Sequence, residues 1–325
     1  MDDRVIMVSA DDAGRRLLEF LSERLINESK ARLRQLVGTG RIRVCNKAVL
    51  GTELLRGGDV VSLPSDVDAG PPAPSEFVIE VLYEDEDHVA INKPAGHPVL
   101  PTRSGDDREF RDAIVALANR GRPAGKSYVR PHIVHRLDRD TTGVLLVAKN
   151  ERAGRALCLQ FQHRKVHKVY LGIIEGVLPK DDFVVEIPLR RQTPRGMQMV
   201  TAEKGGKAAA THIILKEKFG HFSLLELRPL TGRQHQLRVH LAAIGYPLAV
   251  DRLYGRRERL TAAEFSKIVG AVRTRPDDVL LGRVPLHALS LAYHLPSSGE
   301  LIEITAPIPE DIEAFLDVLR RADPS

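Results

Sequence analysis

His135-Arg136-Leu137-Asp138-Arg139-Asp140-Thr141-Thr142-Gly143, running into Val144-Leu145-Leu146-Val147-Ala148, decides how this chain is read. The second half is an uninterrupted apolar run, the pattern of a strand buried on both faces. The first half sets a carboxylate, Asp138, at the mouth of that strand between Arg136 and Arg139. Opposite charges within a few ångströms favour the ionised carboxylate. Such a group is suited to act as a nucleophile or a base at neutral pH. A turn capped by an Asp and tied to an Arg has the same local pattern. The choice between the two rests on what the rest of the chain supplies.

The chain has 325 residues, enough for two or three domains. At 43% hydrophobic it can bury a core, but Trp is absent and aromatics make up only 5%, so stacking on a base must fall to a few Tyr, Phe, His or Arg side chains. A formal charge of +5 and a pI near 9.2 suit a polyanionic partner. Cys45 and Cys158 lie far apart and form neither a disulfide framework nor a CxxC metal site. A reducing, cytoplasmic setting is expected. Met1-Asp2-Asp3-Arg4 is acidic with no apolar core behind it, so no secretion signal is expected. No run reaches the ~18 apolar residues of a membrane span.

Residues 64–75 hold four prolines among small polar residues and read as an extended tether. The expected organisation is a small α/β domain over 1–63, a linker over 64–76 and a larger domain over 77–325. In the small domain, Leu17, Phe20, Leu21 and Leu25 recur at helical spacing. Ser29 is suited to cap a second helix ending near Gly38. Strands are expected at 41–44 and 60–63, with a turn at Asn46-Lys47. Lys30, Arg32, Arg34, Arg41, Arg43 and Lys47 fall here with no acidic residue between positions 30 and 47. A charge run is usually a solvated face; here it straddles a helix and the next strand, which favours one shared basic surface. In the large domain, strand runs are expected at 77–83, 89–92, 169–175, 184–187, 209–215 and 222–227, with a helix from Asn150 to about His163. Strands in series with irregularly placed helices predict an α+β fold with a mixed, largely antiparallel sheet.

The opening stretch resembles the HRLDxxTSG signature of the RluA-type pseudouridine synthases, with Thr142 in place of the usual serine. Other blocks of that family follow in order. They are Leu82-Tyr83-Glu84-Asp85 with Ile91-Asn92-Lys93-Pro94-Ala95-Gly96, Phe161-x-x-Arg164-x-x-x-Lys168-x-Tyr170, and Thr231-Gly232-Arg233-Gln234-His235-Gln236-Leu237-Arg238-Val239-His240. His97 and Val250 depart from the family pattern. The resemblance covers about residues 77–310. Residues 14–63 are similar to the alpha-L RNA-binding motif.

The resemblance implies a pseudouridine-synthase-like catalytic domain that isomerises uridine in RNA. Asp138 is then the catalytic carboxylate, Tyr170 lies against the target base and is a candidate to assist proton removal, and Arg233 pairs with Asp138. His135, Arg136, Leu137, Thr141, Lys93, Leu237 and Arg238 are expected to bind substrate or shape its site. Thr231 is expected to cap the helix that Gly245 ends. Lys30, Arg32, Arg34, Arg41, Arg43 and Lys47 are expected to contact RNA. The reaction needs no metal or cofactor in principle. His132 with His135, and His163 with His167, have spacings open to a metal, but no HExxH pattern or cysteine pair accompanies them. His135 is expected to orient the catalytic loop and His240 to sit in the core. A small basic domain ahead of the catalytic one leans toward large-subunit ribosomal RNA rather than transfer RNA, and a monomer is expected. The rivals are an RNA-binding assembly factor without catalysis and a glycosidase. The first would lose Asp138, Tyr170 or Arg233, and the second needs a paired carboxylate, for which only Asp140 is near.

Overall fold

The computed structural model describes residues 4–25, 28, 30–65, 67, 77–99, 108–121, 129–193, 198–270 and 275–322. Ser29 and most of the Pro-rich tether lie outside the described residues. The chain divides into two compact units. One comprises Met1–Ile79, Ser104–His132 and Val147–Glu151; the other comprises Glu80–Arg103, Ile133–Leu146 and Arg152–Ser325.

The first unit begins with strand β1 (Arg4–Met7) and helices α1 (Leu17–Arg24) and α2 (Lys30–Gly38). Strands β2 (Arg43–Val44), β3 (Lys47–Ala48) and β4 (Val60–Leu63) complete a four-stranded sheet in the order β1-β4-β2-β3. Leu17, Phe20, Leu21 and Leu25 are buried, as their spacing predicts, and pack with Leu33, Leu36, Val44 and Val61. The turn between β2 and β3 is Cys45-Asn46, one residue earlier than expected. Both have left-handed backbones, φ 48° and 63°, the geometry that matches strand twist in a tight hairpin. The core runs beyond Leu63, because Val67 is buried with it, so the packed region extends into the stretch read as linker. Helix α3 (Arg108–Ala118) belongs to this unit as well, where the sequence predicts a continuous catalytic domain from residue 77.

A ten-stranded sheet dominates the rest. Its strands are β5 (Glu80–Glu84), β6 (His88–Lys93), β7 (His132–Ile133), β8 (Thr142–Ala148), β9 (His167–Glu175), β10 (Asp182–Glu186), β13 (Ala210–Phe219), β14 (Phe222–Pro229), β17 (Leu286–His294) and β18 (Leu301–Thr305). The order is β10-β13-β14-β9-β17-β8-β6-β5, with β18 on β17 and β7 on β8. Two small ribbons join β11 (Leu189–Arg191) to β12 (Met199–Thr201) and β15 (Leu260–Thr261) to β16 (Val279–Leu281). The β17–β8 pair is parallel, and β5–β6, β9–β14, β9–β17, β10–β13, β13–β14 and β17–β18 are antiparallel. The fold is α+β with a mixed sheet, as read from the sequence. Every residue of β8 is buried, which is why its run shows no polar alternation.

Helices cover both faces of the sheet. On β14, Phe222 and Leu224 pack with Phe265 of α6 (Ala262–Val269) and with Ile312, Phe315 and Leu316 of α7 (Glu310–Ala322). Leu225 and Leu227, pointing the other way, pack with Leu237 and Leu241 of α5 (Gln236–Ala243). Helix α4 (Glu151–Gln162) connects β8 to β9. Val250 is buried in the core beside α6 and α7. No helix among the described residues is long and apolar enough to cross a membrane.

Candidate active site

The loop between β7 and β8 carries Asp138, and a turn closes it by a hydrogen bond from Thr141 N to Asp138 O of 3.2 Å. The turn must deliver the chain into β8 against β17. Gly143 does this at φ 107°, with Ala288 O only 2.2 Å from where a Cβ would stand. Only glycine fits both the backbone angle and the approach. Beside it, Thr142 Oγ1 lies 2.9 Å from His287 Nδ1, so the residue that departs from the family serine keeps a buried hydroxyl contact.

Asp138 faces a cavity of about 950 Å³. Its described lining holds one carboxylate, Asp138, and six Arg or Lys side chains: Arg136, Arg164, Lys168, Arg228, Arg233 and Arg238. His135, Leu137, Thr141, Tyr170 and Leu237 line it too. Asp140 is not among the lining residues, so the cavity lacks the pair of facing carboxylates a glycosidase requires.

The partner of Asp138 is Arg238, not Arg233. Arg238 Nη1 donates to Asp138 Oδ2 at 3.2 Å. Arg233 Nε instead donates to Ala208 O at 3.1 Å, leaving Arg233 at the cavity wall. The reason is where the helix starts. Helix α5 begins at Gln236, with His235 as its N-cap in a left-handed conformation (φ 52°), rather than at Thr231. Thr231 Oγ1 accepts from Ala210 N and donates to Gln236 Oε1, tying the preceding turn to β13. Arg233 therefore lies in that turn, while Arg238 lies inside the helix on its buried side. Gly245, φ 88°, follows the helix end as expected.

Arg238 is itself held from behind. Its Nε and Nη2 donate to the two oxygens of buried Asp251 at 2.6 and 2.7 Å, a bidentate pair. Asp251 also accepts from the backbone N–H of Leu253 and Tyr254, at 2.9 and 3.1 Å. Burial works against the guanidinium charge, but the bonds to Asp251 and the nearness of Asp138 outweigh it and push the pKa of Arg238 up. Its guanidinium also stands 5.1 Å over the Tyr254 ring. Tyr254 Oη accepts from Met199 N at 2.8 Å and shares a hydrogen bond with His235 Nδ1, also 2.8 Å away. His235 Nε2 stands 3.8 Å from Asp138 Oδ1. Burial lowers the His235 pKa, so the ring faces Asp138 as a neutral imidazole.

Tyr170 projects from β9. Burial, and then the charge of Asp138, push its phenol well above the usual range. At neutral pH it offers a flat ring and a protonated hydroxyl rather than a phenolate. His135 lies 4.6 Å from Phe161 in a stacked pair, and its Nε2 accepts from Leu146 N at 2.9 Å. Burial lowers its pKa to about 3, so it anchors the loop as a neutral ring, the orienting role expected of it.

Lys93 does not reach the cavity. It is fully buried, and its Nζ donates to the carbonyls of Pro94, Arg139 and Thr141 at 2.7, 2.9 and 2.9 Å. A lysine read as a substrate ligand is therefore a clamp beneath the Asp138 loop. The Lys-Pro-Ala-Gly turn supports that loop a second time, through Arg139 Nε to Gly96 O at 3.1 Å. His240 is a core residue bonded to Thr211 Oγ1 and Ile187 O, as expected. Among the described residues no cluster of three His, Cys, Asp or Glu side chains is placed to hold a metal ion.

Residues 87–243 match the family model described as RNA pseudouridylate synthase. Ribosomal large subunit pseudouridine synthase D of Xanthomonas campestris is 33% identical over 98% of this chain and 92% of its own length. Ribosomal large subunit pseudouridine synthase C of Vibrio parahaemolyticus is 33% identical over 97% of this chain and 96% of its own. Among solved structures, human RNA pseudouridylate synthase domain containing 4 superposes with a TM-score of 0.58 at 26% identity, covering 74% of this chain and 93% of that one.

Proposed function

The chain belongs to the RluA-type family of RNA pseudouridine synthases, and from that premise we propose that it isomerises a uridine of large-subunit ribosomal RNA, with Asp138 as the catalytic carboxylate. Two of its relatives carry large-subunit synthase names, D and C, which supports that RNA over transfer RNA. The observation that carries the reading is the cavity itself: a single carboxylate, held by an internal arginine, among cations suited to a polyanion.

The target uridine enters flipped out of its stack. The bond from N1 of uracil to C1′ breaks, uracil turns within the cavity, C5 bonds to C1′, and the C5 proton leaves while N1 gains one. Atoms and charge balance without a co-reactant. One carboxylate serves either of two routes, addition to the sugar or base, or removal of a sugar proton to form a glycal. Both routes need Asp138 aimed at the sugar edge, and the hydrogen bond from Arg238 fixes that aim. The ring of Tyr170 gives the base a flat surface. Because its phenol is protonated, any help it gives to removal of the C5 proton requires passing its own proton on. In the small domain Lys30, Arg34, Arg41, Arg43 and Lys47 are exposed and are offered to phosphates in their own right.

Asp138→Asn tests the assignment. It is expected to abolish conversion in a tritium-release assay on ribosomal RNA, while affinity stays within a few fold. Substantial turnover by the purified variant would sink it.

A further inference from the structure

Lys168 precedes Tyr170 by two residues on β9, so both side chains leave the same face of the strand, and both line the cavity. Lys168 is poorly partnered for a largely buried cation. Its Nζ reaches the carbonyl of Thr231 at 3.5 Å, and its environment among the described residues is set by burial and by a second cation, Arg164, with no carboxylate beside it. Burial and then Arg164 pull its pKa to about 8, which still leaves it charged at neutral pH. An ammonium has three hydrogens to donate, and buried charges ordinarily find partners. Here the open side is the cavity.

Arg164 supplies an independent observation. Helix α4 ends with Lys165 N bonded to Gln160 O at 2.9 Å, and Arg164 occupies the residue of that stop with a left-handed backbone, φ 57°. Glycine is usual there because it carries no Cβ penalty. An arginine held in that conformation indicates that its side chain is wanted. Arg164 is exposed, lines the same cavity and belongs to no ion pair among the described residues.

We propose that Lys168 and Arg164 form a receptor for one backbone phosphate next to the target uridine. Residues two apart on a strand are separated by about 6.6 Å. That spacing is of the order of the distance between a base and the phosphate of its own nucleotide. A uracil on Tyr170 thus sets its phosphate at Lys168, and the pair fixes the polarity with which the RNA strand crosses the cavity. The proposal rests on the cavity being the uridine site.

The test uses a short hairpin of large-subunit ribosomal RNA that the wild-type protein converts. One phosphate at a time around the target is replaced by an uncharged methylphosphonate. Anisotropy titrations of the full chain are expected to show one adjacent linkage whose neutralisation weakens wild-type binding about tenfold or more, the scale of a charge-assisted hydrogen bond. In Lys168→Gln the same linkage should cost clearly less, only the share that Arg164 holds, and the plot of log affinity against log salt should flatten by about 0.7. Lys168→Arg should restore the linkage-specific penalty. Arg164→Gly should weaken RNA binding while raising the thermal midpoint, because glycine is relaxed at that φ. Equal penalties at every linkage in wild type and Lys168→Gln, or wild-type RNA affinity in Arg164→Gly, overturn the receptor. Because the hairpin is one the wild type converts, such results leave the uridine site itself standing.

Discussion

Asp251 touches no substrate, yet its removal should be among the most damaging substitutions in this protein. It accepts four hydrogen bonds, two from Arg238 and two from backbone N–H groups, and is 1% exposed. Asp251→Ala deletes the anion and leaves the Arg238 guanidinium buried with Asp138 as its sole carboxylate. Breaking a buried pair from one side costs about 3–5 kcal/mol. For a unit of this size each kcal/mol moves the thermal midpoint by roughly 2–4 °C, so a fall of roughly 6–20 °C is expected. Turnover should drop as well. Loss of one preorganised polar contact is worth about 10²–10³ in rate, and Arg238 can no longer fix Asp138 when it swings. The double variant Asp251→Ala with Arg238→Met separates the two effects. With no orphaned cation it should regain much of the midpoint, since apolar replacement of a buried pair is often neutral, while staying as slow as the single variant. Thermal unfolding and single-turnover conversion measure both. If Asp251→Ala kept wild-type stability and rate, or if the double variant were less stable than the single one, the hold of Asp251 on Arg238 would be refuted.

Arg233→Met should cost much less turnover than Arg238→Met, with its effect falling on RNA affinity; steady-state kinetics showing the reverse order would return Arg233 to the role of Asp138 partner. Lys93, drawn down to about 7 by burial, sheds its proton in the folded state before the unfolded chain does near 10.5. Between those pH values the unfolded chain binds more protons, so Lys93 makes folding stability rise with pH, on the order of 5 kcal/mol in all. Denaturant unfolding of wild type and Lys93→Met across that range should show a steeper rise in the wild type, and parallel curves would refute it. In the small domain, joint replacement of Lys30, Arg34, Arg43 and Lys47 by Gln should flatten the salt dependence of RNA binding by about 0.7–0.9 for each phosphate that is no longer neutralised. An unchanged slope in the folded variant rules out phosphate docking there.

The strands and the loop that carries Asp138 are legible in the sequence because their signals are local. The all-apolar run of β8 and the largely apolar run of β14 appear in sequence as buried strands do in space. The turn at Gly143 is fixed by its own backbone angle. The partner of Asp138 is not legible in this way. Arg233 and Arg238 both stand in one block, and the choice between them depends on where α5 begins. That start is set by Gln236, whose amide bonds Ala210 O and Thr211 Oγ1 on a distant strand. Asp251 stands in a stretch, Asp251-Arg252-Leu253-Tyr254-Gly255, that continues the family resemblance, but nothing in that stretch names Arg238 as its partner. The central place of β17 beside β8 is hidden for a related reason. A parallel pairing between strands so far apart in sequence leaves no short-range trace.

Lys93 shows most clearly why a motif residue can be assigned the wrong task. A lysine beside a turn, in a protein built for RNA, reads as a phosphate ligand. The structure uses its three hydrogens on three carbonyls, two of them, Arg139 and Thr141, on the catalytic loop. The carbonyl between those two, Asp140 O, accepts from Arg283 Nη1 at 3.1 Å, and Arg283 is paired in turn with Asp311 at the start of α7. Consecutive carbonyls of the loop at 139, 140 and 141 are thus bonded by two basic side chains from elsewhere in the chain, Lys93 for the outer two and Arg283 for the middle one. A loop has no ladder of its own to satisfy its backbone, and these cations take the place of one. They leave the side chain of Asp138 free to face the cavity while its backbone is immobilised. The same positive charge that draws RNA to the surface serves, where it is buried, to hold the carboxylate in place.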